Sequence, residues 1–116
     1  MLRDAERERE ETQMSKASVG LRDSIAKIVE GEDVISANQN MDDDGPGDHV
    51  FSNGPNMSGN TDPKKMFGVW HDSKNSATYY STPQGAAAAF IKLVGAPVAA
   101  RAVRTFRHSV KVLKRR

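Results

Sequence analysis

The side chains best suited to chemistry crowd the C-terminal end: Arg101, Arg104, Arg107, His108, Lys111, Lys114, Arg115 and Arg116 share sixteen positions that hold no Asp or Glu. Charge-assisted donors at that density bind anions. Arginine outnumbers lysine five to two in this run, and its planar guanidinium can meet two phosphate oxygens at once. Cations in a last helical turn complement the helix dipole without any partner, which accounts for the final few. It does not account for a whole helix of unrelieved i to i+4 repulsion. The phosphate backbone of a nucleic acid, DNA or RNA, is the expected partner, because it asks only for spaced cations. An anionic lipid surface also asks for a wide apolar face, and only Phe106, Leu113 and smaller residues are on offer here. Trp70, Tyr79 and Tyr80 would stack on unpaired bases if exposed; otherwise they form the core of a small domain.

Other constellations fall short of a reaction centre. Asn40, Asp42, Asp44, Gly45 and Asp48 match positions 1, 3, 5, 6 and 9 of a calcium loop, but Phe51 stands at position 12, where a bidentate Glu belongs. With no Cys and no second His at short spacing, His49 has no zinc set around it. His71, Asp72 and Ser73 are consecutive, whereas the members of a catalytic relay must approach from different parts of a fold. Gly45-Pro46-Gly47 lacks the third glycine and the preceding strand of a dinucleotide loop, and no Gly-Lys-Ser/Thr phosphate loop occurs. Asn56-Met57-Ser58 is a formal glycosylation sequon with no signal pattern ahead of it. The expectation is a non-enzymatic protein without metal or cofactor.

The elements that must position the cations can be read from the same stretch. Placed on a helix, Ala99, Ala102, Val103, Phe106, Val110 and Leu113 fall within an arc of about 100°, and the cations fill most of the remainder. That helix is expected from Pro97 to about Lys114, packing its stripe on a preceding hairpin. Gly95-Ala96-Pro97 separates it from a helix running from Pro83 to about Val94, whose start is marked by a Thr82 hydroxyl and the proline after it. Met66 to Trp70 and Thr78 to Tyr80 are short, aromatic and β-leaning, and the turn formers between them predict the hairpin.

At the other end, Met1 to Gly31 reads as helical. Glu6/Arg9 and Arg7/Glu11 sit at spacings that meet on a helix surface. Met14, Ala17, Leu21, Ile25 and Ile28 then repeat at 3, 4, 4 and 3, a narrow stripe of coiled-coil type, with Gly31 as the stop. Met14, Leu21, Ile25 and Ile28 are the residues expected to meet a protein partner or a second copy. From Asp33 to Pro63 turn formers dominate, and only Val34, Ile35, Val50 and Phe51 are available for burial.

A length of 116 residues limits the chain to one small domain, and its modest core must be built from 22 Leu, Ile, Val and Phe together with 13 Ala. The net charge of +2 conceals a segregation: residues 1–62 carry −8 and residues 63–116 carry +10. Such asymmetry reports an anionic partner for one end, or the two ends binding each other. Absent cysteine excludes disulfides, thiolate metal sites and a thiol nucleophile. No apolar run approaches the length of a membrane span. The fold class that follows is α+β and mostly helical: an acidic helical arm at 1–36, a polar linker or long loop at 37–63, and a basic hairpin-plus-helices domain at 64–116. The expected function is that of a small nucleic-acid-binding accessory protein, cytoplasmic or nuclear, its N-terminal helix serving as an interaction arm. Segregated charge on a weak core also suits a viral or phage accessory or structural protein, found in the virion. The alternatives are a subunit of a larger assembly whose basic helix docks on an acidic protein surface, or a membrane-surface helix.

Overall fold

The computed structural model describes residues 15–37 and 47–114. Within them the chain is α+β and mostly helical, as its pattern predicts. In chain order the elements are α1 (Ser15–Glu30), β1 (Ile35–Ser36), β2 (His49–Ser52), α2 (Pro55–Ser58), β3 (Phe67–His71), a 3₁₀ turn (Asp72–Lys74), β4 (Ser76–Tyr80), α3 (Pro83–Val94) and α4 (Ala96–Lys114). The four strands form one antiparallel sheet in the order β1-β2-β3-β4, so every strand pairs with its neighbour in sequence.

Local signals set the helix ends. Thr82 Oγ1 accepts the Gly85 N–H at 3.1 Å, and Pro83 follows in the first turn, so α3 starts where a hydroxyl and a fixed φ favour it. Gly95, at φ +91°, breaks the chain, and α3 and α4 are bent by 118° there. The stop of α1 differs from the expected one. Glu32, not Gly31, takes the left-handed conformation at φ +70°. Its N–H reaches the Val29 carbonyl at 2.9 Å while Asp33 N–H reaches Ile28 at 3.2 Å, the paired bonds of a Schellman ending.

The core lies between the sheet and α1, α3 and α4. Ile35, Val50 and Val69, register partners in one row across β1, β2 and β3, are fully buried against Ile25 and Val29 of α1, Ala86, Ala87 and Phe90 of α3, and Ala99 of α4. Alanines facing the sheet let the helices approach closely, so a chain short of large apolar residues still closes its interior. This core draws on all three segments separated by composition. The polar stretch expected as a linker or long loop contributes β1's neighbour β2, paired to β3 over four residues, as well as α2. The N-terminal stripe is also spent inside the chain. Ile25 is fully buried, and Leu21 and Ile28, partly buried, pack against the core; Met14 lies outside the described residues.

Candidate nucleic-acid interface

The burial of α4 orients its charges. Ala99, Ala102 and Val103 are buried and Phe106 packs against the core, which pins the helix on α1, α3 and β1. The hairpin expected to receive it is not among its main contacts; the sheet face that meets helices is occupied mainly by α3. With the apolar stripe inward, Arg101, Arg104, His108 and Lys111 all emerge exposed. Their spacing of 3, 4 and 3 places them within an arc of about 80° on the opposite side. Among the described residues, none of the four makes an ion pair or a side-chain hydrogen bond; the ion pair present there is Arg22–Asp23, at 3.2 Å. Lys114 closes the helix, while Arg115 and Arg116 lie outside the described residues.

Arg107 is set apart from that row. Its Nη2 donates to Ser24 Oγ at 3.2 Å, across an open groove of about 530 Å³ lined also by Asp23, Lys27 and Ile28. Two cations and a hydroxyl thus meet between α1 and α4, with one carboxylate beside them.

The sheet separates the three aromatic candidates. Val50 and Val69 point to the helices, so their strand neighbours point away from them. In the resulting outer face, His49 lies opposite Trp70, and Phe51 lies opposite Gly68, which in turn faces Tyr79. The His49 and Trp70 rings stack at 6.2 Å and 25°, and Phe51 meets Tyr79 edge-on at 6.5 Å and 88°. His49 and Phe51 are 5.6 Å apart, joining the two rows. Tyr80 is not part of this array. It falls on the helix-facing side and packs against the core. Sequence reasoning missed His49 and Phe51 because their four-residue strand sits in a turn-rich stretch; the adjacent β-leaning pair Val50-Phe51 is the signal that was available.

Polar bonds fix the rim of the outer face. Trp70 Nε1 donates to Asp72 Oδ1 at 3.4 Å, and Asp72 N–H donates to Asp48 Oδ1 at 2.8 Å. His49 Nδ1 lies 3.1 Å from the Gly47 carbonyl, which can only accept, so that nitrogen carries the proton when the ring is neutral and Nε2 is left as an acceptor. His71 Nε2 is 3.0 Å from Thr78 Oγ1 and is not hydrogen-bonded to Ser73. Residues 40–46 of the calcium-like loop lie outside the described residues, and among the described ones no group of three or more His, Asp or Glu gathers as a metal set. No single described helix is long and apolar enough to cross a membrane. No family model, curated protein or solved structure matches the chain.

Proposed function

We propose that this protein binds nucleic acid without catalysing a reaction on it, holding the phosphate backbone along the exposed side of α4. One observation carries this reading: Arg101, Arg104, His108 and Lys111 form a continuous row, opposite a buried stripe, with no acidic partner among the described residues. A solvated helix surface of ordinary composition alternates its charges. This one forgoes that relief, and an external polyanion supplies it. Phosphate contacts position a protein without reading sequence, so binding should tolerate any base order.

The test is retention of nucleic acid by the full chain and by the triple variant Arg101→Gln, Arg104→Gln, Lys111→Gln, after nuclease treatment and gel filtration to strip what co-purifies. All three positions are exposed, so the fold is spared. Binding to both single-stranded and duplex DNA that weakens together in the variant supports the reading. An unmodified protein that retains neither DNA nor RNA at low salt removes it and leaves an acidic protein surface as the partner of α4.

A further inference from the structure

The large side chains on the outer face of the sheet are all rings. Aliphatic strand residues Ile35, Val50 and Val69 all point to the core. What remains outside is Ser36, His49, Phe51, Gly68, Trp70, Ala77 and Tyr79. These strand positions carry no Leu, Ile, Val or Met to fill the gaps between rings. The face offers instead two rows of π surface, His49 with Trp70 and Phe51 with Tyr79, about 7 Å apart along the strands. Gly68 puts no side chain at the centre, so the Phe51 ring lies across the backbone there and covers it. Each ring row has a polar tip that can meet a base edge: His49 Nε2 in one and the Tyr79 hydroxyl in the other.

We infer that this face receives two successive unpaired bases of a single strand, one on each row of rings. The inference rests on the nucleic-acid reading of α4 and gives it a strand preference. Base stacking on aromatic side chains needs no particular sequence, since every base has a π face, and bases locked in a duplex cannot reach the rings. Charge supports the same occupant. Exposed Lys64 and Lys65 precede β3 at the Phe51 end, where Asn53 and Asn60 side chains hold the Lys65 carbonyl at 2.9 and 3.0 Å. At the Trp70 end Asp72 accepts from Trp70 Nε1 and Asp48 from the Asp72 N–H, and both keep their charge, so the phosphates of a bound strand are drawn to the Lys64–Lys65 end.

Trp70 is the sole tryptophan of the chain, so its fluorescence reports directly on this face. The full chain is titrated with a single-stranded oligothymidylate of about twelve nucleotides, and with a duplex of equal length, at one salt concentration. The expected result is quenching of Trp70 by the single strand and not by the duplex. Tyr79→Leu should weaken single-strand binding about tenfold and leave duplex binding unchanged, whereas Tyr79→Phe, which keeps the ring, should bind as the parent does. Tyr79 is 42% exposed, so neither change threatens the fold. Retention of both DNAs with no quenching and no effect of Tyr79→Leu overturns the inference and leaves the α4 reading standing. Quenching that survives the triple charge variant at full affinity does the reverse. Light scattering that shows a dimer lost in Tyr79→Leu assigns the face to a second copy and also overturns the inference.

Discussion

The Phe51 ring lies across Gly68, its register partner on β3, so closely that a Cβ at position 68 would stand 2.5 Å from the ring's Cζ. The glycine is required by that approach, since its backbone lies in an ordinary strand.

Gly68→Ala should therefore lift the Phe51 ring off the sheet. Because Phe51 is half-buried and can yield, the cost belongs at the lower end of overpacking effects, about 1 kcal/mol. A melting temperature lower by about 4–8 °C, with an altered near-ultraviolet circular dichroism from the ring array, is the expected outcome. An unchanged spectrum would show that the ring does not rest there.

Ile25→Ala separates an interior role from an interface role. A fully buried Ile truncated to Ala costs about 2–5 kcal/mol, a large share of the stability of so small a domain. Denaturant unfolding should shift to lower concentration while light scattering of the still-folded variant shows no change of assembly state. A change of assembly with undiminished stability would return the stripe to the surface.

Gly20 sits in α1 with nothing within 4 Å of where a Cβ would be. Gly20→Ala should thus raise stability by about 0.8–1 kcal/mol, the propensity difference of an exposed helix position. A thermal melt decides it, and a loss of stability would mean that position 20 is covered.

Binding by α4 should be steep in salt. A helix lying along a backbone presents one side, so the exposed row neutralises about three or four phosphates, and at a slope near −0.9 per phosphate the affinity falls about 40- to 150-fold between 50 and 200 mM salt. Filter binding across that range measures the slope directly. The triple charge variant should flatten it for every sequence alike, and a slope near zero in the parent protein would exclude a phosphate-led contact.

What the sequence made legible was whatever is decided locally. Thr82, Pro83, Gly95 and Pro97 announce α3 and α4 through caps and forbidden dihedrals, and the stripe from Ala99 to Phe106 shows in advance which side of α4 must be wet. The strand β2 was hidden because its four residues sit among Asn, Asp, Gly and Ser, and they are a strand only through pairing with β3. Half of the ring array was lost with it, since which side His49 and Phe51 face depends on register against Trp70 and Gly68. The N-terminal stripe reads as a surface for a partner or a second copy, whereas α3, on which it packs, lies more than fifty residues away, and spacing alone cannot say whether a helix docks within its own chain. Glu32 at the left-handed stop shows the same limit at small scale: Gly31 is the better residue for it, and Glu32 is where the Schellman bonds close.

The docking of α1 on α3 has a consequence for synthesis. Translation proceeds at about 5–20 residues per second, so roughly 3–13 s separate the appearance of Ile25 and Val29 from that of Phe90, the largest side chain of the core they share. Strands β2 to β4 pair with their sequence neighbours and can close as soon as they emerge, but the N-terminal helix must wait for its seat. During that interval the stretch from Leu21 to Val29 is an apolar ridge in contact with the ribosome's surroundings, and it is the part of the nascent chain a chaperone would hold.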